Sequence, residues 1–172
     1  MSISVRVRPY EPSDADDMCA AAIESVREIE PWMPWCHANY GRADALGWVE
    51  ATTVGRAKKA LFDFAVLSDG MYVGGCGINR INWMERVANL GYWVRTSATG
   101  QGIATTAARQ VLDWAFSETT LNRIEIVVAC KNLPSQRVAE KLGAHRDAVL
   151  RERTFVNGQP ADAVMFSVLR SD

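Results

Sequence analysis

Between residues 87 and 118 an alternating strand, Val87 to Arg95, gives way to Thr99-Gly100-Gln101-Gly102 and then to a helical pattern reaching about Glu118. No other stretch restricts the fold as much. A strand that turns through glycines into a helix aims unpaired backbone N–H groups and the positive helix end at one point. The glycines keep side chains out of the way of an anion, and a pyrophosphate suits such a cradle. The segment is a poor dinucleotide fingerprint, because Thr105 stands where a third glycine belongs, and it is no P-loop, because Gly-Lys-Ser/Thr is missing. Taken alone, it also fits a plain strand-to-helix connection.

The flanking elements surround that turn with one sheet. Ser4 to Arg8 reads as a strand stopped by Pro9 and Pro12, and Ser13 suits the cap of a helix over Asp14 to Glu28, with acids in its first turn. Glu30 to Tyr40 is a loop rich in Trp and Pro. A second helix fits Arg42 to Lys59, with Leu46, Val49 and Ala57 among its apolar positions. Strands Phe62 to Leu67 and Tyr72 to Ile81 flank the hairpin signal Ser68-Asp69-Gly70. Ile124 to Ala129 is the continuous apolar run of a central strand, and a short helix, Pro134 to Leu142, ends at Gly143. Two last strands, about Ala144 to Arg153 and Ala163 to Leu169, are separated by Asn157-Gly158. The order β-α-α-β-β-β-α-β-α-β-β describes a mixed α+β fold, and 172 residues at 48% hydrophobic suit one domain over residues 1–172.

A formal net charge of -1 gives no general reason to expect nucleic acid or an anionic membrane as a partner. No run of about 18 apolar residues is present. Met1 to Arg8 alternates apolar and charged residues without a secretory apolar region, so a cytoplasmic protein is expected. Cys19, Cys36, Cys76 and Cys130 are scattered, and only His37 and His145 could join them. Structural metal sites want clustered ligands; free, mostly buried thiols and no metal are expected.

About 30 residues beyond the glycine turn, a strand ends at Cys130 and runs into Lys131-Asn132-Leu133-Pro134-Ser135, then Arg137-Val138-Ala139-Glu140-Lys141-Leu142-Gly143-Ala144. Together with Gly100-Gln101-Gly102-Ile103-Ala104, these residues resemble the GCN5-related N-acetyltransferases (GNAT superfamily), and within them the RimJ/RimL type that acetylates N-termini of ribosomal proteins. Pro31-Trp32-Met33-Pro34-Trp35, Leu90-Gly91-Tyr92-Trp93-Val94 and Phe155-Val156-Asn157-Gly158 with Asp162 extend the likeness along the chain, in the same order. The resemblance implies a mostly antiparallel mixed sheet flanked by helices, whose fourth and fifth strands splay apart to admit acetyl-CoA as co-substrate.

The resemblance also implies site residues. The family's pyrophosphate loop, Arg/Gln-x-x-Gly-x-Gly/Ala, falls on Thr99 to Ala104, so amides of Gly100, Gln101, Gly102, Ile103 and Ala104 would bind the CoA diphosphate, with Thr99 in place of Arg or Gln. Backbone around Val94 and Arg95 would hold the pantetheine arm, and Asn132 would contact the cofactor near the splay. Ser135 matches the hydroxyl that RimL-like enzymes place near the CoA sulfur, where a developing thiolate needs a donor; the hydroxyl also suits a helix cap. Asn89 and Thr154 stand where many relatives carry Glu. That leaves Glu85, Glu152 and Asp162, or a water relay held by Asn89 or Tyr92, as routes for removing the acceptor's proton. Trp32 and Trp35 lie where the family forms its acceptor groove, and both equally suit core packing. Trp83 and Trp93 read as structural, Trp48 and Trp114 as helix-packing residues.

The expected activity is transfer of an acetyl group to a primary amine, foremost a protein N-terminus. A small amine such as a polyamine, amino acid or antibiotic is the alternative acceptor; no acidic cluster is visible near Trp32 to Tyr40, which favours a peptide. A non-catalytic acyl-CoA-binding module is the third reading. A covalent route through Cys76 or Cys130 is disfavoured, since both fall in expected strand interiors. A monomer and a homodimer are both compatible with the sequence.

Overall fold

The computed structural model describes residues 3–172; Met1 and Ser2, which open the alternating N-terminal stretch, lie outside the described residues. In chain order the elements are β1 (Val5–Pro9), α1 (Ala15–Ile29), α2 (Arg42–Ala57), β2 (Phe62–Ser68), β3 (Met71–Asn82), β4 (Val87–Val94), α3 (Ile103–Glu118), β5 (Arg123–Ala129), α4 (Leu133–Lys141), β6 (His145–Val156) and β7 (Gln159–Leu169). The strands form one sheet in the order β1-β2-β3-β4-β5-β7-β6, antiparallel throughout except for the β4–β5 pair.

Alternation decides which side chains meet which helices. Phe62, Phe64, Ile78, Leu90, Ile124, Ile126 and Phe166 bury one sheet face against Ile103, Ala107, Val111 and Leu112 of α3 and against Ala139 of α4. Burial of each such large side chain contributes about 1.5–3 kcal/mol. On the other face Ala65 and Tyr72 join Met18, Ala21 and Ala22 of α1 and Ala45 and Val49 of α2. The sheet therefore lies between two helical layers, each with its own core.

Several local details depart from the sequence reading. Ser13 is not the helix cap: it sits inside a 3-10 turn, Pro12–Asp14, that precedes α1. Asp14 is the N-cap residue of α1, although its side chain closes the preceding 3-10 turn, with Oδ2 accepting from the Glu11 N–H at 2.8 Å. The same carboxylate takes two hydrogen bonds of 2.7 Å from the Arg8 guanidinium, which ties β1 to α1. In α2 the buried positions are Ala45, Val49 and Thr52, whereas Ala57 at its last residue is exposed. Strand β6 continues past Arg153 to Val156 because a bulge lets pairing resume: Leu150 pairs with Ala163, and the next pair is Thr154 with Ala161. Glu152 lies within that bulge at φ 48, its N–H held by Asp162 Oδ1 at 2.9 Å.

Candidate active site

Strands β4 and β5 stay together for three register pairs, Val87 with Arg123, Ala88 with Ile124 and Asn89 with Glu125. Beyond them β4 runs on to Val94 and β5 to Ala129 with no pairing between them. The parallel pair thus opens into a wedge. The phase of β4 follows from its end, where the Arg95 N–H donates to Val73 O of β3 at 2.8 Å. Alternate residues point their amides to opposite edges, so Leu90, Tyr92 and Val94 present theirs to the wedge. Val94 therefore lies where the sequence reading put it. Arg95 does not: its N–H is used by Val73, its carbonyl accepts from Ala98 N at 3.0 Å, and its guanidinium pairs with Glu24. That pairing holds the Glu24 carboxyl down at about 2. Arg95 binds the turn to α1 through its guanidinium, and its amide faces β3 and not the wedge.

The glycine turn lies past the wide end of the wedge. A 3-10 turn, Thr96–Ala98, leads to Gly100 at φ 75 and Gly102 at φ 78, and Gly102 is the N-cap of α3. Left-handed backbone of this kind is what glycine supplies without strain. Among the described residues the N–H groups of Gly100, Gln101, Gly102, Ile103 and Ala104 have no protein acceptor; the first backbone donor of α3 to find one is Thr106, bonded to Gly102 O at 3.0 Å. With Thr105, whose N–H is also unpaired, six donors at a helix start fit a diphosphate.

Across the wedge, α4 begins at Asn132, whose Oδ1 accepts from the Ser135 N–H at 3.2 Å. Asn132 is thus the cap that fixes Ser135. The Ser135 hydroxyl lies 3.1 Å from the Tyr92 hydroxyl, and Tyr92 also donates to the Ser135 carbonyl at 2.9 Å. With the Tyr92 proton so placed, the serine hydroxyl donates to the tyrosine oxygen. Burial pushes the Tyr92 phenol up to about 12, so it remains protonated near neutral pH.

On the α1/α2 side a cavity of about 1080 Å³ opens over β2, β3 and β4. Trp32, Trp35, Tyr92 and Asn89 all line it, so the sequence-assigned acceptor residues do converge. Trp35 packs edge-on to Trp93 at 5.2 Å and to Tyr40 at 5.6 Å, which fixes the aromatic wall. Asn89 donates to Asn79 Oδ1 at 3.0 Å. The bulge in β6 delivers Arg153, Thr154 and Phe155 to the far wall.

Two residues of this cavity escape the sequence reading. Trp48 is no mere helix-packing residue: it lines the cavity and donates from Nε1 to Asp63 Oδ2 at 3.1 Å. Asp63, half-buried on β2, stands on the cavity floor. Burial pushes its carboxyl up to about 7, against the opposing pull of the Trp48 N–H, the Phe64 N–H and the Arg56 charge. The only sequence signal was a lone acid inside the apolar run Phe62-Asp63-Phe64-Ala65. Glu85, Glu152 and Asp162 are exposed and line no part of this cavity. Cys76 is buried with its thiol pushed well above the usual range by that burial, which leaves no thiolate to act as nucleophile. Cys130 is not in a strand interior but one residue past β5. Among the described residues no group of three or more His, Cys, Asp or Glu side chains could hold a metal ion, and no helix is long and apolar enough to cross a membrane.

Comparison with known proteins matches residues 4–145 to the acetyltransferase (GNAT) domain. The probable N-acetyltransferase YjcK of Bacillus subtilis (strain 168) is 35% identical over 98% of this chain and 96% of its own length. The spermidine N(1)-acetyltransferase of Escherichia coli (strain K12) is 27% identical over 62% of this chain and 58% of its own. Among solved structures, Mycobacterium smegmatis RimJ in complex with CoA-disulfide superposes with a TM-score of 0.90 at 27% identity, covering 96% of this chain and 81% of RimJ. RimL, a ribosomal L7/L12 alpha-N-protein acetyltransferase in complex with coenzyme A, shares the fold with a TM-score of 0.91 at 16% identity, covering 98% and 96% of the two chains.

Proposed function

The chain belongs to the GNAT acetyltransferase family, in its RimJ/RimL type, and is an acetyl-CoA-dependent N-acetyltransferase; from that premise we propose that its acceptor is the α-amine of a protein N-terminus. Membership of an enzyme family sets aside the non-catalytic module. The carrying observation is the acceptor cavity. At about 1080 Å³ it lies just above the range of about 300–1,000 Å³ common for small-molecule sites. Gly75 and Gly91 contribute to its lining without side chains of their own, and Trp32, Trp35 and Trp48 wall it. Such a trough suits an extended segment of several residues, and RimL, which shares this fold, is named for acting on a protein α-amine. A polyamine is the second reading, favoured by Asp44 and Asp63 in the same cavity and by the spermidine acetyltransferase among the relatives. The cytoplasm is the proposed setting, where Cys19, Cys36, Cys76 and Cys130, all unpaired, stay reduced.

Acetyl-CoA supplies an activated acetyl thioester. The N–H groups of Gly100 to Ala104 hold its diphosphate, and the wedge-facing amides of Leu90, Tyr92 and Val94 hold the pantetheine arm. Asn132 presents Ser135, and the Ser135–Tyr92 pair gives a proton to the departing sulfur. Asn89, fixed by Asn79, orients the acceptor or a water beside it.

The test is thiol release from acetyl-CoA against free N-terminal peptides, N-blocked lysine peptides and small amines. Release is expected with free N-terminal peptides; robust activity confined to small amines overturns the reading. Ser135→Ala is expected to lower kcat by about 10²-fold, with acetyl-CoA binding unchanged by calorimetry.

A further inference from the structure

We propose that Asp63 is the proton acceptor of this enzyme: its carboxylate holds the incoming ammonium in the acceptor cavity and removes the proton that blocks attack. The proposal deepens the reading above and rests on the acceptor being an amine, not on that amine belonging to a peptide.

Three observations carry it. First, the sheet is cleared for this carboxylate. Asp63 is the register partner of Gly77, and Gly77 that of Gly91. A Cβ on residue 77 would stand 2.0 Å from Asp63 Oδ1, so the carboxylate leans over β3 into space that any other residue would fill. Gly91, two residues beyond Asn89 where β4 parts from β5, lines the same cavity as Asp63, with Asn79 Nδ2 beside it. The carboxylate and the opening of the wedge therefore border one cavity.

Second, the charge has no structural task. Among the described residues Asp63 forms no ion pair. Its carboxylate is held by the Trp48 Nε1–H and drawn on by the Phe64 N–H, and an Asn side-chain oxygen would accept from the same donors. The nearest guanidinium, Arg56, donates to the backbone carbonyl of Asp63 at 3.1 Å and lies 4.6 Å over the Phe64 ring. A carboxylate sunk among aromatics without a cation costs stability, and an arriving ammonium would offset that cost.

Third, the competing acids are accounted for. Asp44 lines the cavity, but its Oδ2 caps α2 by accepting from the Gly41 N–H at 2.8 Å. Glu85, Glu152 and Asp162 lie outside. The other titratable or charged groups around Asp63 are Arg56 on α2, Tyr10 after β1, and Tyr72 and Cys76 on β3. His37, Tyr40, Arg80 and Arg153 complete the cavity's set. With its carboxyl lifted to about 7, Asp63 approaches the α-amine range of about 7.7–8.0, so the transfer between them is nearly balanced.

The ammonium proton passes to the Asp63 carboxylate. The free nitrogen forms a bond to the acetyl carbon while the carbon–sulfur bond breaks with its electron pair on sulfur. The acylated nitrogen, still cationic, gives its second proton to solvent, while the Ser135–Tyr92 pair protonates the sulfur and is reprotonated from solvent; Asp63 then releases the first proton to bulk. An N-acetylated product and CoA thiol result.

The test compares wild type, Asp63→Asn and Asp63→Glu across pH, with an N-terminal peptide and with spermidine. Asp63→Asn is expected to lose about 10²-fold in kcat/KM at pH 7. The loss should shrink as pH rises past the acceptor's own pKa, while acetyl-CoA binding stays unchanged. Asp63→Glu should recover part of the rate. If Asp63→Asn keeps the wild-type rate and pH profile on whichever acceptor is turned over, the proposal falls while the acceptor reading stands. If only spermidine is turned over, the peptide reading falls, and the Asp63→Asn loss is then read on spermidine.

Discussion

Asp63 carries a cost that pH makes visible. Its carboxyl sits at about 7 in the folded chain against an ordinary value near 4, and the dominant cause is burial. The folded protein therefore keeps a proton here that the unfolded chain has released. The favourable contribution is full below about pH 4 and is lost as pH climbs through about 7. Asp63→Asn removes that dependence. In urea unfolding at pH 4.5 and pH 8, the stability difference between variant and wild type should shift towards the variant at the higher pH; a difference that does not move would place Asp63 in ordinary solvent. Ser135, Tyr92, Trp32 and Trp35 could be singled out from the sequence because each belongs to a recognisable string, and Asn89 because it stands where relatives carry Glu. Asp63 could not, since its role depends on a glycine 14 positions later and a tryptophan 15 positions earlier, which only folding brings together. The edge that the Arg95 amide faces was illegible for a similar reason, because Val73 on another strand sets it.

Among the elements, α3 shows how much a single turn controls. Gly102 at φ 78 is its N-cap, with no atom within 4 Å of an added Cβ. The residue is glycine for its backbone angle and not for want of room. Gly102→Ala is expected to cost about 1–2 kcal/mol in thermal unfolding and to weaken acetyl-CoA binding in calorimetry, because relaxing the angle turns the free amides away from their common focus. Elements bounded by such turns were readable: Asp69-Gly70, Asn157-Gly158 and Gly143 all adopt positive φ where the sequence placed a reversal or a stop. The bulge in β6 was not, because Arg151, Glu152 and Arg153 look like more exposed strand, and only pairing with β7 shows three residues opposite one. Without that bulge Thr154 and Phe155 would pair in a different register and point elsewhere.

At the scale of the molecule, the element order and the parting of β4 from β5 were both foreseen, one from turn signals and periodicity, the other from family likeness. The division into two cores was not, since apolar residues on the two faces of a strand look alike in sequence. A ligand seated in the wedge touches both halves of the sheet, so acetyl-CoA at 100 times its Kd should stabilise the fold by about 2.7 kcal/mol; a thermal scan with no upward shift would contradict the assigned site. The wedge has one more consequence. A sheet that divides along part of a seam has four edges, and unpaired edges invite other chains. The outer two are guarded by charge: Arg6 and Arg8 with the terminal Pro9 on β1, and Arg146, Asp147, Arg151, Glu152 and Arg153 on β6. The inner two, residues 90–94 and 126–129, contain no charged residue at all. Their safeguard against aggregation is each other, two adhesive borders facing inward across a cleft that a slender co-substrate can enter and a foreign strand cannot.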